Sequence, residues 1–246
     1  MPENLNVLEE RIISCRRCPR LVEWRERMGR EKRRAYRGET YWAKPVPGFG
    51  DARARVLAVG LAPGAHGSNR TGRMFTGDAS GDFLFPALHR AGFADRPVSA
   101  ARGDGLTLAG LFLSAVCRCV PPDNKPTAEE IANCLPYLAE EIELLADLRV
   151  LVALGKIAYD ALVRMRTGGY FDIGRLMIAG APGQPVQPEK VPPFAHGVHW
   201  PYGASEGRRI WMVASYHPSR QNTQTGRLTR AMFDRVWREV RDLAFT

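Results

Sequence analysis

A carboxylate, an imidazole and four thiols stand out from this chain by their type and setting. Asp78 closes a loop that runs from Gly60 and is mixed in Gly, Arg, Asn and Asp. The glycines of that loop let backbone approach a flat ligand closely, Phe75 offers a stacking face, and Asp78 offers a carboxylate. The loop is not a Walker phosphate cradle, because no Gly-Lys-Ser/Thr follows it. His217 opens a His217-Pro218-Ser219 turn after an apolar run. Cys15 and Cys18 stand in Cys-x-x-Cys spacing, and Cys119 and Cys134 lie 15 residues apart. Four thiolates of this kind suit zinc or an iron–sulfur cluster, and spacing alone does not separate the two. The fifth cysteine, Cys117, falls in an apolar run and reads as a small buried hydrophobe.

These groups need a scaffold that brings them together. Four apolar runs rich in β-branched and small residues read as strands: Val56 to Leu61, Leu106 to Val116, Arg149 to Leu154 and Arg209 to Tyr216. Helical patterns separate several of them. In the stretch from Thr127 to Leu148, Thr127 and Glu130 have capping-box spacing ahead of Ile131, Leu135, Leu138 and Ile142. A last helix is expected over Leu228 to Leu243. The expected fold is therefore α/β, a three-layer sandwich with a central, mostly parallel four-stranded sheet and helices on both faces. Residues 166–208, rich in Gly and Pro, read as a long excursion between the third and fourth strands within a single domain spanning 1–246. Ligands on such sheets bind beyond the carboxyl ends of the strands. The Gly60 loop, the Cys119 loop and the His217 turn all follow strand ends, so chemistry is expected on that rim.

The formal charge of +9 is unevenly placed. Between Arg11 and Arg37 there are eleven Lys or Arg against three Glu, and a second cluster joins Arg220, Arg227, Arg230, Arg235, Arg238 and Arg241. Such patches attract a phosphate backbone irrespective of sequence. No apolar run approaches the roughly 20 residues that cross a bilayer. Met1 to Glu10 contain no apolar stretch behind a basic start, so a cytoplasmic protein is expected, and an odd number of cysteines argues against a disulfide framework.

The loop from Gly60-Leu61-Ala62-Pro63 through Arg70-Thr71-Gly72-Arg73-Met74-Phe75-Thr76-Gly77-Asp78 resembles the first motif of family 5 (type b) uracil-DNA glycosylases. The resemblance extends to Cys15-x-x-Cys18, to Cys119-Val-Pro-Pro-Asp-Asn-Lys-Pro-Thr with Cys134, and to His217-Pro-Ser-Arg-Gln-Asn-Thr, in family order. It implies an enzyme that flips a deaminated base out of DNA and hydrolyses its glycosidic bond. It also implies a structural [4Fe–4S] cluster on Cys15, Cys18, Cys119 and Cys134, with Cys119 preferred to Cys117 because Pro-Pro follows it closely; the cluster would tie down a basic arm, residues 1–50. His217 would donate to the base as negative charge gathers there. Related families carry Asp, Asn or Glu near Ala62; here Asp78 is left to position the water, or else to cap the helix that follows. Phe75 would stack on the base, the backbone at Gly60 and Ala62 would face it, and Asn124 would read its edge in place of an amide missing at Ser114-Ala115. That loss suggests tolerance of hypoxanthine. Arg220, Gln221 and Asn222 would enter the minor groove, with Arg70 a further DNA contact. Gly64 stands where alanine is expected, a change of little steric consequence, and His196 and His199 read as surface residues. The implied partner is DNA bearing uracil or other deaminated bases, met by a monomer near the nucleoid. Two rival readings are a non-catalytic iron–sulfur module that binds nucleic acid and a nucleotide-processing hydrolase on the same fold.

Overall fold

The computed structural model describes residues 4–167, 176–177, 191–205 and 208–246, so much of the Gly/Pro-rich excursion lies outside the described residues. Each of the four apolar runs contains one strand: β2 (Val56–Gly60), β3 (Leu111–Ala115), β4 (Val150–Leu154) and β7 (Arg208–Ser215). They pair parallel in the order β3-β2-β4-β7. All five residues of β2, β3 and β4 are buried, because helices cover both faces and leave no wet side to alternate with.

The sheet is wider than the four strands expected. Among the described residues it has seven, in the order β1-β3-β2-β4-β7-β6-β5. The additions are β1 (Phe49–Gly50), β5 (Leu176–Met177) and β6 (His199–Ser205), all antiparallel to their neighbours. Two of these are only two residues long. The third carries Pro201 and a register shift between Pro201 and Gly203, so neither length nor alternation marks them in the sequence.

Two hydrophobic clusters lie on opposite faces. One joins α1 (Leu5–Ile13), α5 (Ala128–Leu144) and α6 (Lys156–Thr167) to side chains such as Leu57, Leu151 and Met212. The other joins α4 (Ala79–Arg90) and α8 (Arg230–Phe245) to Val56, Ala58, Val152 and Val213. Capping places the helices. Thr127 and Glu130 form the reciprocal capping box at the start of α5, and the Thr229 side chain accepts from Met232 N at the start of α8. The N-terminal segment is held by its own packing as well as by any metal: Leu8 and Ile12 of α1 are fully buried against the α5 side of the sheet. Its charge is partly consumed in ion pairs to α5, Arg11 with Glu140 and Arg20 with Glu130. The remaining helices are α2 (Pro19–Glu31), α3 (Ser68–Thr71) and α7 (Arg220–Gln224), of which α3 and α7 follow the carboxyl ends of β2 and β7.

Candidate active site

The chain leaves β2 at Gly60, turns through α3, and reverses at Gly72 and Gly77, both in the left-handed region, before Asp78 caps α4. The reversal brings Phe75 back over the strand end it came from. A side chain at Gly60 would place its Cβ 2.6 Å from the Phe75 ring, so only glycine lets the ring settle there. Phe75 itself is held at φ +54, a strained geometry for a bulky residue. On the far side β7 ends at Ser215, and His217 follows two residues later. The Phe75 and His217 rings face each other at 6.2 Å between centroids, tilted by 32°. Gly60, Ala62, Gly64, Phe75, Asp78, Ser80, Ala115 and His217 line one narrow cavity of about 30 Å³, large enough for an ordered water.

The two carboxylate oxygens of Asp78 divide the roles that its sequence position suggested. Oδ1 accepts from the backbone N–H groups of Ser80 and Gly81 at 2.9 and 3.3 Å, which is a helix N-cap. Oδ2 lies on the other side, against the Gly64–Gly67 turn. Burial raises the pKa of Asp78 above its ordinary 3.8, against the pull of those two N–H donors. Burial has the opposite sign on His217, lowering it from 6.5 to about 4. At neutral pH the site therefore pairs a neutral imidazole, able to donate, with a carboxylate that binds protons more readily than usual.

Gly64 matters more than expected from the sequence. A Cβ there would stand 2.8 Å from Asp78 Oδ2, inside van der Waals contact, and one at Gly67 would stand only 2.1 Å away. We expect Gly67→Ala to push the carboxylate out of place and lower the rate of any reaction that uses it by about tenfold or more, with a smaller loss for Gly64→Ala. Equal rates for Gly67→Ala and the parent chain would show that Oδ2 does not matter.

Other residues singled out in the sequence fare differently. Arg70 is not available to DNA: its Nε donates to His66 O, its two Nη groups reach Glu39 and Gly77 O, and its guanidinium covers the Tyr36 ring at 3.9 Å. It braces the loop. Asn124 sits in an exposed 3₁₀ turn with φ +56, outside the set of residues that line the cavity. Arg220 and Gln221 are exposed on α7, whereas Asn222 turns inward and donates from Nδ2 to His217 O at 2.9 Å. Of the two histidines read as surface residues, His199 pairs with Glu239 at 2.7 Å, but His196 is half-buried and stacked on Tyr216. The sequence offered no signal for His196, since its partner is 20 residues away, at the far end of the β6–β7 pair.

The cysteines meet at a corner next to this rim. Cys15 follows α1, Cys18 caps α2, Cys119 follows β3 and Cys134 lies in α5. Arg25 donates to Cys119 Sγ at 3.0 Å, the Arg118 N–H to Cys134 Sγ at 3.2 Å, and Asn133 to Cys18 Sγ at 3.8 Å. Cys117 is fully buried, and its thiol is hydrogen-bonded to Cys134, which with burial raises it far above the usual thiol range. Among the described residues no three His, Cys, Asp or Glu side chains are placed to hold a single metal ion. The corner is joined to the loop after β2: Asn69 of α3, fully buried, donates to Arg25 O at 3.2 Å, and its N–H reaches Gly64 O at 3.0 Å.

A parallel α/β sheet with a stacking ring, a carboxylate and an imidazole on its carboxyl rim is one of several enzyme architectures, and the comparison with known proteins selects among them. Residues 47–241 match the family model of the uracil DNA glycosylase superfamily, so the chain belongs to that superfamily. Its relatives there include the type-5 uracil-DNA glycosylase of Thermus thermophilus, 52% identical over 233 residues that make up 95% of each chain. The type-5 enzyme of Mycobacterium tuberculosis is 47% identical over 95% of this chain and 79% of its own. A type-4 uracil-DNA glycosylase of Archaeoglobus fulgidus reaches only 26% over 88% of this chain and 82% of its own, which sorts the chain with type 5.

Proposed function

We propose that this protein is a uracil-DNA glycosylase that begins base excision repair by flipping uracil, and also hypoxanthine, out of DNA and hydrolysing the bond between base and sugar. The observation that carries the reading is the convergence of Phe75, Asp78 and His217 on one cavity in a chain of this superfamily. A nucleotide-processing hydrolase needs a phosphate cradle that the Gly60 loop does not form, and a purely structural module gives no reason for a carboxylate and an imidazole lining one cavity.

The extruded base stacks near Phe75, with the Gly60 and Ala62 backbone beside it. As the bond from C1′ to the base lengthens, the sugar gains positive charge and the electron pair leaves with the base. Neutral His217 donates a hydrogen bond to the base oxygen on which that charge collects. A water held by Asp78 attacks C1′ and its proton passes to the carboxylate. Asn124 reaches the base edge only if its turn moves on DNA binding. Arg220 and Gln221 meet the DNA backbone from α7, and Arg220→Ala should weaken binding equally for all sequences, with a salt slope smaller by about one.

The cysteine corner fits a [4Fe–4S] cluster held by Cys15, Cys18, Cys119 and Cys134. Its donors are four thiols from separate segments, and N–H groups already point at three of the sulfurs, the environment in which cluster thiolates are stabilised. When bound, the cluster would serve as a structural cross-link between the N-terminal helices and the rim. Cys119 is the better third ligand, since Arg25 faces it while Cys117 is occupied with Cys134. No described helix is long and apolar enough to cross a membrane. We take the protein to act as a single-domain monomer on nucleoid DNA in the cytoplasm.

The purified protein is incubated with an oligonucleotide carrying one uracil and the product is cleaved with alkali. Strand scission is expected, as is a brown protein whose visible absorbance is lost in Cys119→Ala. An intact strand at enzyme excess removes the glycosylase reading, and a colourless protein with bound zinc removes the cluster.

A further inference from the structure

Segment 191–198 returns to the catalytic rim from the Gly/Pro-rich excursion. It is anchored twice to β7 by backbone bonds, Gly197 N–H to Ala214 O at 2.8 Å and Ala214 N–H to Val198 O at 2.9 Å. A third anchor is the Tyr159 hydroxyl, which donates to Pro192 O. Between these points His196 lies flat against Tyr216, with ring centroids 5.1 Å apart and planes 28° from parallel. The Tyr216 ring also carries the Arg227 guanidinium at 4.7 Å.

The hydrogen bonds define what the His196 ring does. Its Nδ1 lies 3.2 Å from the Tyr216 backbone N–H. Ser215 Oγ is also within 3.4 Å, but that hydroxyl donates its proton to Tyr216 O at 3.0 Å. Nδ1 is therefore an acceptor, filled by the amide of the residue that precedes His217. A neutral imidazole that accepts at Nδ1 carries its proton on Nε2. His217 is already fixed on two other sides: Gly155 lies under its Cβ, and Asn222 donates to its carbonyl. Among the described residues, His196 is the one acceptor that the Tyr216 N–H reaches.

We propose that His196 is a positioning residue for the excision reaction, clamping the Tyr216 amide so that the His217 imidazole is presented to the base in one orientation. Segment 191–198 thus contributes to the active site although none of its residues lines the cavity. The inference rests on the glycosylase reading and deepens it.

The test compares single-turnover uracil excision and DNA affinity in the whole protein and four variants. His196→Ala removes acceptor and stacking, and His196→Phe keeps the stacking alone. His196→Asn keeps an acceptor at the δ position, and His199→Ala is a control in the same segment. We expect excision by the alanine and phenylalanine variants to slow about tenfold to a hundredfold with DNA affinity within about twofold. We expect His196→Asn to recover to within about threefold of the parent, and His199→Ala to match it. Parental rates for His196→Phe, or an asparagine variant as slow as alanine, overturn the proposal. Excision by the parent chain is measured first, so that failure of the glycosylase reading is seen separately. Where a variant does not fold, the side-chain nitrogen resonances of the parent read the same bond. An unprotonated Nδ1 on His196 supports the clamp, and a protonated one overturns it.

Discussion

Replacing His217 with alanine is expected to lower single-turnover uracil excision by about 100- to 1,000-fold, the usual cost of removing one donor from a developing anion. The size follows from where the ring stands. It lines the same narrow cavity as Asp78, with room for about one water, and faces Phe75 at 6.2 Å. DNA affinity should change little, because the interaction strengthens only as charge moves onto the base. The acid–base behaviour supplies a second check. Burial lowers His217 from 6.5 to about 4, so the parent rate should show no inflection near 6.5 from this ring. Stability has a defined sign as well. The native state keeps His217 neutral, whereas the unfolded chain takes up a proton below 6.5. The contribution is present above 6.5 and is lost as pH falls towards 4, a loss that His217→Ala should remove. A variant that excises at the parental rate takes the ring out of the mechanism.

The parallel centre of the sheet was legible because burial on both faces writes itself as unbroken apolar runs, and such a run has few alternative fates. The edge strands were not, since β1 and β5 have two residues each and β6 breaks its ladder at Pro201. The site divides along the same line. Asp78, Phe75 and His217 follow strand ends or lie in the loop that begins at one, so the rule for open sheets brought them to a common rim. Arg70 was assigned outward to DNA on the resemblance, whereas three backbone or carboxylate acceptors and a tyrosine ring use it internally. His196 was misread for the converse reason. Its function depends on a backbone amide 20 residues on, and no periodicity or motif encodes that contact. Gly64 shows the limit of reading a small-to-smaller change from sequence, since what counts is the carboxylate that occupies the missing methyl's space.

Asp78→Asn is the more discriminating change at the residue proposed to hold the water. Asparagine caps a helix as well as aspartate does, so the Oδ1 bonds to Ser80 and Gly81 can persist and α4 should keep its start. What is lost is the ability of the other oxygen to take a proton from water. We expect single-turnover excision to fall by about 100- to 10,000-fold, the range for a positioned general base. Asp78→Ala should match that loss and also lose about 1 kcal/mol of stability with the cap. Because burial raises Asp78 above 3.8, the parent rate should decline on the acid side from a pH higher than an ordinary carboxylate would give, and the asparagine variant should lack that limb. The stability sign differs from the usual aspartate. A raised native value means the folded state binds the proton more tightly than the unfolded chain, so its contribution is complete below 3.8 and lost as pH rises through the native value. At neutral pH the buried charge is a cost that asparagine does not carry, and thermal melts should find Asp78→Asn no less stable than the parent. A variant that melts like the parent and excises like it would leave Asp78 a helix cap and nothing more.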